Sequence, residues 1–269
     1  MYKKVLNFAF ITFKGGLRTK LFITVLVLSM IAFLLFIPAF SSLSMRQVRE
    51  VATSLCLSLI SFVSIVLTIF LGINLIYKDL ENKIVYFALS QPVSRDIYII
   101  GKYIGLSLII VVSILILSLS SVICLMIADK LYEADLTIRW FNYFVAIVME
   151  SIKTLILGSF VLFFTSFSTN IFLPIFGSIG IYIIGTVIQT VYDYINSIYG
   201  KELPYITILI SKFAYFILPN LSLYDYKFIA VYNLNISYNI LLWSITYGFL
   251  YILIMLSIAA LIFRKRELL

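Results

Sequence analysis

Long apolar runs with few or no charges recur along the chain: Leu21 to Phe40, Leu55 to Tyr77, Tyr103 to Ala128, about Ala146 to Ser168, Ile171 to about Tyr192, and Ile240 to Phe263. At 1.5 Å per residue, each is long enough to cross a hydrocarbon core about 30 Å thick. The pattern predicts an all-α polytopic membrane protein with six transmembrane helices, at about 21–40, 55–77, 103–128, 146–168, 171–192 and 240–263. Thr154 to Tyr192 carries no charge and is too long for one crossing. A hairpin at Ser168, Thr169 and Asn170, with Pro174 just beyond, divides it into the fourth and fifth spans.

The intervals between spans set the orientation. Lysine and arginine concentrate in 1–20, 78–102 and 264–266, whereas the other intervals carry basic and acidic residues in balance. By the positive-inside rule both termini are expected in the cytoplasm. Residues 1–20 set Val5, Leu6, Ala9 and Phe13 beside Lys3, Lys4 and Lys14. This suits a short helix on the inner leaflet, or else a solvated basic leader, with Gly15 and Gly16 supplying a bend. The stretch 193–239 reads as an outer region, interfacial or re-entrant, with its tyrosines at headgroup level. Its apolar run between Pro204 and Pro219 is too short for a seventh crossing and is interrupted by Lys212.

The interval between the second and third spans carries the most specific pattern. From Lys78 to Asp96, Leu80, Ile84, Phe87 and Ala88 recur at helical spacing, Asp79 precedes Lys83 by four, and Pro92 stops the pattern after Gln91. An amphipathic cytoplasmic helix and a solvated connector both fit. Acidic residues just after the second span, then Gln91-Pro92-Val93-Ser94-Arg95, then Gly101-Lys102-Tyr103-Ile104-Gly105-Leu106, resemble the type-two ABC transporter permeases. The likeness is to the branch associated with multicopper-enzyme and nitrous oxide reductase maturation. Residues 16–20 (Gly-Leu-Arg-Thr-Lys) and 263–268 (Phe-Arg-Lys-Arg-Glu-Leu) are similar to the same family's ends. Asn82-Lys83 departs from the small pair many relatives carry after the acidic residue.

The resemblance implies a single permease domain over 1–269, with residues 1–20 as an elbow helix and the loop as a coupling helix resting on an ABC ATPase subunit. It assigns ATPase contacts to Asp79, Glu81, Lys83, Ile84, Phe87, Gln91, Pro92 and Arg95. It further implies an exporter working as a homodimer or paired permease in the prokaryotic inner membrane. ATP and magnesium would bind the partner, and the sequence agrees in having no G-x-x-x-x-G-K-[ST] phosphate loop.

Composition narrows the chemistry. The chain is 63% hydrophobic and 12% charged, and it contains no histidine. That removes histidine-based metal sites and the Ser-His and Cys-His nucleophile pairs, so no catalytic residue, metal site or resident cofactor is expected. No nucleic-acid partner is expected. Cys56 and Cys124 lie in apolar runs without metal-like spacing. Glu150 and Lys153, three apart on one helix face, read either as a mutually satisfied pair or as part of a substrate path. Gly101 and Gly105 suit close helix packing, and Asn74 and Gln189 suit hydrogen bonds between helices. A standalone channel or secondary transporter is the alternative function; it would call for broken helices and ionisable groups at mid-depth.

Overall fold

A computed structural model of the protein describes residues 2–43, 47–81, 94–131, 138–198, 200 and 203–265. All regular structure among them is helical. We number the helices α1 (Tyr2–Leu17), α2 (Lys20–Ser41), α3 (Val48–Glu81), α4 (Arg95–Leu131), α5 (Trp140–Phe167), α6 (Phe172–Asn196), α7 (Tyr205–Ile217), α8 (Lys227–Val231) and α9 (Tyr238–Lys265). Six of them, α2 to α6 and α9, are long and apolar enough to cross a membrane. The chain is thus a multi-pass integral membrane protein.

Local chemistry explains where these helices bend and stop. Pro38 has no N–H to donate to Leu34, and its ring would crowd that carbonyl. The turn before it widens into a π-helix over Ala32–Phe36, with the Ile37 N–H donating to the Ala32 carbonyl. Between α5 and α6 the Ser168 hydroxyl donates to the Asn170 carbonyl at 2.5 Å and accepts from the Asn170 N–H at 3.2 Å. This local pairing replaces the helix ladder. Pro174 then falls in the first turn of α6, where its missing N–H costs no bond.

Helix α5 is the hub. Its most apolar window is 72% buried, against 22% for α6 and α9, and it packs on α3, α4, α6 and α9. Tyr143 of α5 donates to the Ser121 hydroxyl of α4 at 2.6 Å, and Tyr103 of α4 donates to the Leu155 carbonyl at 3.1 Å. Cys56 and Cys124 are buried, free thiols.

Helix α1 runs alongside the first four turns of α4. Gly101 faces Val5 and Phe8, Gly105 faces Ala9 and Thr12, and Gly16 faces Ile109, so both chains advance together in the same direction. A Cβ at Gly105 would come within 2.5 Å of Thr12 Cβ and 2.8 Å of the Ala9 carbonyl oxygen. The Gly101/Gly105 pair therefore packs closely as expected, but on the amino-terminal helix. The expected bend at Gly15 and Gly16 is absent, because α1 continues through both to Leu17. Gly16 serves the contact with Ile109, and the turn comes at Thr19, whose hydroxyl donates to the Gly16 carbonyl and caps α2. Leu6, Phe10 and Ile11, on the other side of α1, are exposed.

Both described chain ends lie at one face of the bundle. Arg95, opening α4, donates to the carbonyls of Phe263 and Arg264 at the end of α9. We call this the terminal face and the opposite one the distal face. Each helix reaches beyond its predicted span at the terminal or distal side; α3 starts at Val48 and α4 at Arg95.

The segment after α6 enters the bundle from the distal face and returns to it. Helix α7 descends along α6, with Tyr215 stacked on Tyr192. Leu221 and the Pro219 carbonyl pack against Gly185, eleven residues below the end of α6 and therefore about 16 Å deeper. The axis bends by 49° between α7 and 221–231, where a 3-10 turn, Leu221–Tyr224, opens the second limb and α8 leads back to Asn233. There the Arg139 guanidinium, just ahead of α5, donates to the Asn233 carbonyl. Asn233 has φ 54, a left-handed turn that asparagine tolerates. The bent pair α7 and 221–231, which we call the hairpin, thus starts and ends on the distal side instead of crossing. Far from lying wholly at headgroup level, this region buries Asn220, Leu221, Tyr224 and Tyr226.

Candidate functional site: a polar chamber under the re-entrant hairpin

The hairpin roofs a polar cavity of about 200 Å³. Its walls come from α3, α5, α6 and the returning limb: Ser61, Glu150, Lys153, Tyr182, Asp225 and Lys227 carry its polar chemistry. Glu150 stands ten residues into α5, about 15 Å from that helix's distal end, so the cavity reaches well into the apolar layer.

Helical spacing explains the floor. Glu150 and Lys153 lie at i and i+3, so both side chains emerge on one face of α5. Lys153 Nζ contacts Glu150 Oε2 at 2.9 Å, and Ser61 of α3 donates to Glu150 Oε1 at 2.8 Å. Both charged residues are buried, at 8% and 6% exposure. A lone buried charge would be very costly, and this pairing offsets that cost. Lys153 also sits 5.7 Å from the centroid of the Tyr182 ring. The pair is mutually satisfied, and it lines the cavity.

Polar groups on α6 hold the roof. Gln189 Oε1 accepts from Asn220 Nδ2 at 2.6 Å and from the Tyr215 hydroxyl at 3.1 Å, while its amide donates to Asp193. The Tyr247 hydroxyl accepts the Asn220 N–H at 3.0 Å, and Tyr224 donates to the Ser244 carbonyl at 2.7 Å. Gln189 thus bonds between elements as expected. Asn74 does not: its amide donates to the Phe70 carbonyl of its own helix.

A second polar cluster lies at the terminal face. Lys102 Nζ meets Asp79 Oδ2 at 2.6 Å and the Leu75 carbonyl at 3.0 Å, and Tyr98 donates to the same Asp79 oxygen at 2.8 Å. Tyr98 stacks on Phe263 of α9 and meets Phe8 of α1 edge-on. Arg264 approaches Asp96 at 3.5 Å. Asp79, expected to face a partner, is engaged inside the chain, and Arg95 spends donors on α9. Of the other loop residues, Glu81 ends α3, while Lys83, Ile84, Phe87, Gln91 and Pro92 lie outside the described residues.

Asp225, Lys227, Tyr182 and Ser61 were not singled out from the sequence. The cue was available: Asp225 and Lys227 are charges set among tyrosines between two apolar helices. Among the described residues, no group of three or more His, Cys, Asp or Glu is placed to hold a metal. No family model and no curated protein matches the chain.

Proposed function

We propose that this chain is the membrane-spanning permease subunit of an ABC transporter, an exporter driven by ATP hydrolysis on a separate ATPase subunit. On this reading the chain itself is not catalytic, the terminal face is cytoplasmic, and the host membrane is a prokaryotic inner membrane. Two copies, or a paired permease, work together. Helix α1 is the elbow, and the connection after Glu81 is the coupling segment.

One observation carries the reading beyond resemblance. The base of that connection is tied to three other helices by a single network: Asp79 to Lys102 and Tyr98, Tyr98 to Phe8 and Phe263, and Arg95 to the end of α9. A push on residues 82–94 therefore reaches α1, α3, α4 and α9 together, as a coupling element requires. Asp79 then anchors the segment, and contact with the ATPase falls to Glu81, Lys83, Ile84, Phe87, Gln91 and Pro92. Glu150 and Lys153 line the substrate path.

The test is co-purification with the ATPase encoded nearest to the chain, in mild detergent. Glu81→Lys and Phe87→Asp are expected to abolish association while the permease stays folded. If no ATPase binds the intact, folded chain, the reading fails.

A standalone transporter is the second reading. What favours it is the buried Glu150–Lys153 pair beneath a re-entrant broken helix. Substrate movement in vesicles holding this chain alone, without ATP, would select it.

A further inference from the structure

The hydrogen-bond inventory of the chamber is one-sided. Both Glu150 oxygens are taken, by Ser61 and Lys153. Asp225 Oδ1 accepts the Lys227 N–H at 3.3 Å, and Asp225 stands exposed at the rim. The donors are in surplus. An ammonium carries three N–H groups, and Lys153 uses one of them on Glu150. The Lys227 ammonium has no hydrogen-bond or ionic partner among the described residues, and neither the Tyr182 nor the Tyr226 hydroxyl has a hydrogen-bond partner there. The charges of Glu150, Lys153, Asp225 and Lys227 sum to zero, and Asp225 is the one lining carboxylate with an oxygen unengaged among the described residues.

A cavity wall whose unused donors outnumber its free acceptors calls for an acceptor-rich guest. We propose that the chamber is an oxyanion site, which takes a phosphate-like group on Lys153, Lys227 and the hydroxyls of Tyr182 and Tyr226. Its volume suits a headgroup-sized moiety rather than a whole drug-sized molecule, whose pockets run to about 300–1,000 Å³. Lys227 also borders a neighbouring cavity of about 250 Å³, walled by Val51, Leu55, Phe228 and Val231 and containing Glu50. Glu50 Oε2 is buried there with no hydrogen-bond partner among the described residues. As a statement of substrate class, the proposal rests on the chamber lying on the transport path; as a statement of binding, it does not.

The same chemistry belongs to a free phosphate and to a phospholipid headgroup, so the experiment has two arms. Delipidated chain in detergent is titrated with inorganic phosphate and followed by calorimetry. Chain in nanodiscs of phosphatidylcholine with about one-fifth phosphatidylglycerol is examined by native mass spectrometry for the lipid it retains. We expect Lys227→Gln to weaken binding about fivefold or more, and Tyr182→Phe about twofold, with the fold unchanged because neither removed group holds a partner. Binding in the first arm identifies a free anion, and selective retention in the second identifies a headgroup. If wild type binds neither probe more tightly than Lys227→Gln, the site is overturned. Neither arm uses an ATPase or measures transport, so that result leaves the permease reading standing. Conversely, anion binding would survive failure of the permease reading.

Discussion

Among the described residues are two lysine–carboxylate pairs held largely out of solvent, and they are built differently. Lys102 and Asp79 come from different helices, α4 and α3, and meet at 2.6 Å with Tyr98 closing on the same oxygen. Glu150 and Lys153 come from one helix, three residues apart, and meet at 2.9 Å beside a cavity. The first pair is a clamp: it fixes how two spans lie against each other, and its donors are spent on protein. The second sits on one rigid scaffold, so it constrains no helix crossing by itself and leaves lysine donors beside a cavity. Equal chemistry thus does structural work at one face and prepares a site near the other.

The comparison can be broken in order of expected effect. Lys102→Met strands the Asp79 carboxylate, and unfolding in detergent should lose about 3–5 kcal/mol, with most of it recovered when Asp79→Leu is added. Gly105→Val drives a side chain into Thr12 and the Ala9 backbone, and should cost about 1–3 kcal/mol and make α1 accessible to protease. Glu150→Gln keeps shape and one hydrogen bond with Ser61 but leaves Lys153 uncompensated; about 1–3 kcal/mol should be lost, with the helix crossing of α3 and α4 unchanged by crosslinking. Tyr98→Phe removes one hydrogen bond to Asp79 while retaining the stack on Phe263, and should cost about 1 kcal/mol by thermal unfolding. If Glu150→Gln proves more damaging than Lys102→Met, the division between clamp and site is wrong.

Much of the architecture was legible because a membrane imposes length on apolar runs. The six long helices follow from that constraint and from the turn chemistry at Ser168 to Asn170. What the periodicity could not supply was partners across space. Gly101 and Gly105 announced a close contact, but nothing in their spacing distinguishes a neighbouring span from α1. Asp79 and Glu81 both read as solvent-facing charges, since Lys102 stands 23 residues further on and its pairing depends on how α3 and α4 cross. The chamber was half legible. Glu150 and Lys153 stand out as charges in an apolar run, whereas Asp225 and Lys227 join them only because the chain folds back at Pro219 and Asn220. A 13-residue helix, α7, is too short to span and too apolar to remain outside, and its sequence alone admits both a surface and a re-entrant position.

That fold-back also fixes an order of assembly. The turn that roofs the chamber is held by Tyr224 on the Ser244 carbonyl and by Tyr247 on the Asn220 N–H, and both partners belong to α9, which is synthesised after that turn. A nascent chain halted after Val231 can make that segment's contacts with α3, α5 and α6 but lacks the two bonds that α9 supplies. The chamber is therefore completed only once α9 has been made and threads in beside its neighbours. A chain truncated before Tyr238 should leave the turn at Asn220 to Tyr224 without those two bonds and be cut faster there by protease than the full chain.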